Sequence, residues 1–126
     1  MIFGIGTDIV ELARFEMMLA RFGERLAGHM LSEGELPEFH THPNPARLIA
    51  KRFAAKEAFA KAVGSGLRAP VSLLRISITH DRLGKPVLKF DDVLSAHLAR
   101  LGITGHHLSI SDERSMTIAF VVLENG

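Results

Sequence analysis

The sequence contains no cysteine, so a disulfide scaffold, a thiolate metal site and a cysteine nucleophile are all excluded. That absence accords with a reducing compartment. Tryptophan and tyrosine are missing too, and the eight aromatic side chains are all phenylalanine. Proteins that hold single-stranded nucleic acid stack bases on aromatic platforms, so no nucleic-acid partner is expected here. No stretch of 18 or more apolar residues occurs, and residues 1–10 lack a basic leader, so neither a membrane span nor a secretory signal is expected. The expectation is a soluble, cytoplasmic protein with no membrane partner. What is present is ordinary globular material. With 126 residues, 47% hydrophobic and 23% charged, the chain can bury a core and is expected to form a single domain over residues 1–126.

A net charge of +1 conceals an uneven distribution. Residues 1–46 carry three arginines (Arg14, Arg21, Arg25) against seven acids, whereas residues 47–68 carry six bases against one acid, Glu57. A lone carboxylate among six cations is either a solvated basic helix face or an anion site.

Periodicity divides the chain into α and β elements. Residues 1–8 alternate around Gly4 and Gly6 as a short strand, and the glycines allow close approach of another backbone. From Ile9 the pattern turns helical, with Leu12, Phe15, Leu19, Phe22 and Leu26 drawing one apolar stripe and Arg14, Met18, Arg21 and Arg25 following another face. Gly28 and the acidic stretch 32–38 suggest a break or a short second helix, with Ser32 as a cap. Asn44 followed by Pro45 starts a helix running to Val63, where Gly64, Ser65 and Gly66 stop it. Residues 74–80 alternate as a strand, 81–85 have hairpin chemistry, and 86–90 return. Asp91 or Asp92 caps a helix over 93–101, and two strands follow over 107–111 and 116–123. The sum is an α+β fold with an antiparallel sheet of about five strands and three to four helices. Its irregular element order argues against a doubly wound nucleotide fold.

The helix over 45–63 carries the chemistry. Glu57 and Lys61 share a face, either as an ordinary surface pair or as parts of a site. Alanines at 50, 54, 55, 58, 60 and 62 keep the helix thin enough for close packing. Asp8, at the end of the first strand, reads either as an N-cap for a helix beginning at Ile9 or as a functional carboxylate. Asp8 and Glu57 together would suffice for Mg²⁺, which keeps several waters and takes one or two carboxylates plus substrate phosphates. None of the seven histidines shows zinc-ligand spacing, so no zinc site is expected.

Taken together the motifs resemble one family. Gly6-Thr7-Asp8-Ile9-Val10-Glu11, then Lys51-Arg52-Phe53-Ala54-Ala55-Lys56-Glu57-Ala58-Phe59-Ala60-Lys61, then Gly64-Ser65-Gly66, resemble the signature of the holo-[acyl-carrier-protein] synthases, the small trimeric type within the 4′-phosphopantetheinyl transferase superfamily. Gly84-Lys85-Pro86 and His107-Leu108-Ser109-Ile110-Ser111 are similar to two further motifs of the family. The likeness spans almost the whole chain. One position departs, because Asp112 stands where many relatives have histidine, and no imidazole role can be carried there.

The resemblance implies transfer of 4′-phosphopantetheine from coenzyme A to a serine of apo-acyl carrier protein, with release of adenosine 3′,5′-bisphosphate, in fatty acid biosynthesis. It implies Asp8 and Glu57 as Mg²⁺ ligands, Lys61 as stabiliser of the leaving phosphate, and Glu57, or a water beside it, as the base for the serine proton. Coenzyme A contacts are implied at Arg52, Lys61, Gly64, Ser65, Gly66, Pro86 and His107. A homotrimer with sites between subunits is implied as well. The face bearing Arg14, Met18, Arg21 and Arg25 then suits an acidic carrier protein, three arginines giving electrostatic steering and Met18 an adaptable apolar contact. Three rivals remain: a broader-range transferase acting on peptidyl carriers, a non-catalytic RNA-binding domain, and an inactive paralogue.

Overall fold

A computed structural model describes residues 1–126. Its axis is a 19-residue helix, Pro45–Val63, here α4. The local chemistry explains both ends: the Arg47 amide donates to the Asn44 side chain at 3.2 Å, Pro45 opens the helix, and Gly64 ends it at φ 97°, a left-handed conformation that glycine adopts without strain. Strand β1, Ile2–Glu11, lies along this helix, flanked by β5, Met116–Asn125, and then by β4, Ile103–Asp112, in an antiparallel sheet of order β1-β5-β4.

Register decides which residues face the helix. Asp8 pairs with Ala119 and Ala119 with Ile110, so these three share the inner face at one level of the sheet. Gly4 and Gly6 also face inward, where a Cβ on either would collide with the α4 backbone at Ala62 or Ala58. Ala54, Ala58 and Ala62 are buried beneath the strand, so the alanine-rich helix packs closely, as its composition predicts. Ala119, Val121 and Leu123 complete this side of the core.

The remaining elements close the molecule around that pair. Helices α1 (Leu12–Phe22), α2 (Glu24–Met30) and α3 (Leu36–Thr41) cover one flank of α4. On the other, the hairpin of β2 (Ile76–His80) and β3 (Pro86–Phe90) packs with α5 (Asp92–Arg100) beside β4.

The α+β class holds, with four corrections in detail. The five strands form a three-stranded and a two-stranded sheet rather than one, and the α-helices number five. No helix begins at Ile9. Pairing with β5 carries β1 on as a strand to Glu11, so Asp8 is a strand residue and caps nothing. The helical break falls at Gly23, φ 60°, and Gly28 lies inside α2, while Ser32 does cap the following turn in a reciprocal capping box with Glu35.

Candidate active site

Asp8 reaches the groove between β1 and α4 from the inner face of the sheet, and Lys61 reaches it from the helix. The Lys61 Nζ donates to Asp8 Oδ1 at 3.1 Å and to the Thr7 carbonyl at 3.0 Å. Glu57 lies one turn earlier on the same helix face. Its pKa is raised above the ordinary carboxylate value, first by burial and then by the negative charge of Asp8, while Lys61 and Arg14 oppose the shift. The second oxygen of Asp8, Oδ2, is buried and has no hydrogen-bond partner. Two carboxylates that repel one another, one of them with an orphaned oxygen, thus face the same groove. Both are hard oxygen donors, and nowhere do three or more His, Cys, Asp or Glu side chains gather as a ready metal cluster. That donor set fits a divalent ion such as Mg²⁺, whose remaining positions go to water and substrate phosphate.

The other predicted residues divide between this groove and places away from it. Gly64, Ser65 and Gly66 follow directly on the end of α4, one turn beyond Lys61, with Gly66 also left-handed at φ 64°. Arg52 is a correction. Its side chain is only 2% exposed and pairs with Glu38 at 2.8 Å and Glu35 at 3.4 Å, so it holds α3 to α4 and presents no donor to coenzyme A at the surface. Pro86 lines a separate small cleft with Lys51, His80, Gly84, Ile110 and Asp112. Lys51 precedes Lys61 by ten residues, about 15 Å of helix, so Pro86 is not beside Asp8. His107 lies on the opposite face of the sheet from Asp8, paired with Glu124 at 2.7 Å.

The basic segment is also redistributed. Five of its six cations meet carboxylates from elsewhere in the chain: Arg47 and Lys51 at Asp112, Arg52 and Lys56 at Glu35, and Lys61 at Asp8. The segment is therefore mostly internal wiring, with Lys61 as the member that opens onto the groove. Asp112, the position that departs from the family pattern, accepts from Arg47 at 2.6 Å, and Arg47 also binds the carbonyls of Glu113 and Arg114. The β4–β5 turn is held by this clamp. The expected basic stripe is interrupted as well: Arg14, Met18 and Arg21 belong to α1, but Arg25 follows the Gly23 break on α2.

Comparison with known proteins places this arrangement. A profile described as 4′-phosphopantetheinyl transferase superfamily matches residues 4–119. The chain belongs to that superfamily. It is 57% identical over 124 residues to the holo-[acyl-carrier-protein] synthase of Laribacter hongkongensis, covering 98% of this chain and 99% of that one. Its fold matches the crystal structure of the Neisseria meningitidis holo-[acyl-carrier-protein] synthase with a TM-score of 0.96 at 50% identity, over 99% and 100% of the two chains. The Bacillus anthracis synthase, solved in complex with CoA (3′,5′-ADP), matches with a TM-score of 0.82 at 38% identity, over 100% and 99%.

Within this member of the 4′-phosphopantetheinyl transferase superfamily, the roles of two groups that support α4 escaped the sequence reading. Glu35 is buried and accepts from Lys56 Nζ at 2.6 Å, Ser32 N at 2.9 Å and Ile78 N at 2.9 Å, tying α4 to β2. The Ser32-x-x-Glu35 spacing signals its capping half, but its pairing with Lys56 is set by tertiary contact. Phe53, half-buried, packs on Phe15 at 5.4 Å between ring centroids and forms part of the wall beside Glu57. Its place four residues before Glu57 was the available signal.

Proposed function

We propose that this chain is a magnesium-dependent holo-[acyl-carrier-protein] synthase, one transferase domain over residues 1–126, acting in the cytoplasm in fatty acid biosynthesis. It moves 4′-phosphopantetheine from coenzyme A to a serine hydroxyl of apo-acyl carrier protein and releases adenosine 3′,5′-bisphosphate. The observation that carries this reading is the convergence of Asp8, Glu57 and Lys61 in one groove, with an unpartnered Asp8 oxygen, on a chain so similar to proteins of that name.

Asp8 and Glu57 would hold Mg²⁺, which when bound polarises the attacked phosphoryl group and neutralises negative charge on the pyrophosphate. Lys61, exposed to the groove, contributes a positive charge where the leaving phosphate departs. Glu57, or a water beside it, is the assigned acceptor of the serine proton. The Gly64, Ser65 and Gly66 backbone adds contacts to coenzyme A, as do Pro86 and His107.

The His107 contact calls for a neighbour. His107 and Asp8 are on opposite faces of one sheet, and a ligand bound by both types of group can meet them only where two copies adjoin. The outer face supports such an arrangement, because Ile5, Ile9, Ile118 and Phe120 are all exposed there, from 38% to 56%. We assign this face to a homotrimer with sites between subunits. Carrier docking is assigned to Arg14, Met18, Arg21 and Arg25, a cationic surface suited to an acidic helix. The synthases found by comparison disfavour the broader-range alternative.

The test is the intact mass of apo-acyl carrier protein after incubation with this protein, coenzyme A and Mg²⁺. A gain of one phosphopantetheine, abolished by EDTA, is expected. An equal gain on peptidyl carrier protein as well would favour the broader-range reading, and no gain on either would refute the assignment.

A further inference from the structure

Arg14 is set apart from the other arginines of the docking face by where its side chain lies. Its guanidinium carbon is 5.5 Å from the ring centroid of Phe15 and 5.7 Å from that of Phe53. Phe15 is fully buried in α1 and Phe53 belongs to α4, so the exposed cation bridges the two helices, close enough for its charge to act on Glu57. Arg21, by contrast, leans at 5.3 Å on Phe22 of its own helix. Phe53, Glu57 and Lys61 follow one another at intervals of four along one face of α4. Arg14 therefore enters this row from its Phe53 end and Lys61 closes the other end. Lys61 is bound to Asp8 and Thr7, whereas the Arg14 guanidinium rests on aromatic faces that leave its five N–H donors free.

We propose that Arg14 is a catalytic residue of the transfer, its guanidinium binding the non-bridging oxygens of the phosphoryl group that moves, with Phe53 as the positioning residue that aims it. This rests on the functional reading above. In the step, a lone pair of the serine oxygen forms the new O–P bond, and the bond from that phosphorus to the bridging oxygen breaks. The electron pair leaves on the 5′-phosphate of adenosine 3′,5′-bisphosphate, and the serine proton passes to the general base. Arg14 makes and breaks no covalent bond. Its planar fork matches two phosphoryl oxygens, a geometry the lysine ammonium does not offer. Arg14 and Lys61 thus divide the pyrophosphate, one at the transferred phosphorus and one at the leaving group. Because the guanidinium is already seated on two rings, little reorganisation is needed as charge develops.

Coenzyme A and adenosine 3′,5′-bisphosphate separate this role from docking, because only the first carries the transferred phosphoryl group and neither involves the carrier protein. Calorimetry in Mg²⁺ is expected to show Arg14→Gln binding coenzyme A about 10-fold more weakly, with affinity for the bisphosphate unchanged. At saturating carrier, kcat is expected to fall about 10- to 100-fold, with partial recovery in Arg14→Lys. Phe53→Leu is expected to give a smaller loss that disappears in the Arg14→Gln background, as for residues acting through one another. Thermal midpoints of the variants check that each is folded. Unchanged coenzyme A affinity, with the whole defect in KM for carrier protein, would overturn the proposal and leave Arg14 a docking residue. Equal weakening of both ligands would overturn it too. If the unaltered protein transfers nothing to any carrier, the functional reading falls and this proposal with it.

Discussion

Gly6 of β1 lies directly on Ala58 of α4: a methyl group at position 6 would overlap the Ala58 carbonyl oxygen and stand 2.7 Å from the Ala62 amide nitrogen. Both obstacles are helix backbone, which cannot rotate aside. This contact fixes the spacing between the strand that carries Asp8 and the helix that carries Glu57 and Lys61. Gly6→Ala is therefore expected to cost about 3 kcal/mol, at the upper end for overpacking, and to lower transfer activity by displacing Asp8. Chemical denaturation measures the first effect and the carrier mass assay the second. A stable and fully active variant would show that strand and helix are free to move apart.

Asp8→Ala and Glu57→Ala are each expected to reduce transfer at least about 100-fold, since each removes one of the two ligands proposed for the cation as well as a charge in the groove. Neither is expected to unfold the protein, because Asp8 has an orphaned oxygen and Glu57 is held at raised pKa. Full activity of either variant at ordinary Mg²⁺ concentrations would remove the metal assignment.

The same strain predicts a pH signature in stability. Glu57 has a folded pKa raised from 4.5, so between 4.5 and that higher value the native state binds more protons than the unfolded state, and stability falls as pH rises through the window. Glu57→Gln, which keeps the shape and removes the charge, is expected to raise the melting temperature at neutral pH in EDTA. The gain is expected to be less than about 1 kcal/mol, because solvent screens this partly exposed group. It is expected to vanish on acidification below 4.5, where both states are protonated. Melting curves at pH 4 and pH 7 make the comparison.

Lys56 is fully buried, and its pKa is lowered chiefly by burial, against the favourable charge and hydrogen bond of Glu35. Removing the lysine alone leaves the buried Glu35 charge with only the more distant Arg52, at 3.4 Å, to offset it. Lys56→Met is expected to destabilise by about 3 to 5 kcal/mol, while replacing both partners with apolar residues is expected to recover much of the loss. Urea titration of the single and double variants tests this, and additive losses would show that the pair is not the operative unit.

Arg21 projects from α1 into solvent beside Phe22. Arg21→Glu is expected to raise KM for acyl carrier protein about 10-fold or more, with a much smaller effect on KM for coenzyme A, and added salt is expected to shrink the difference. Equal effects on both substrates would remove α1 from the docking surface.

The sequence alone determined the central helix and the identity of its chemistry. Asn44-Pro45 and Gly64 bound α4 because caps act through nearest neighbours, and Glu57 and Lys61 share a face because four residues are about one helical turn. Gly4 and Gly6 opposite an alanine-rich helix also announced a close approach, since only small residues permit one. The tertiary structure decided the rest, because partners distant in the chain override local preference. Pairing with β5 kept β1 extended to Glu11 and made Asp8 a strand residue rather than a cap. Burial turned Arg52 and Lys56, indistinguishable by composition from Lys61, into internal partners of Glu35. The register of one sheet set His107 and Asp8 on opposite faces, a separation that follows from strand alternation only once the three strands are paired.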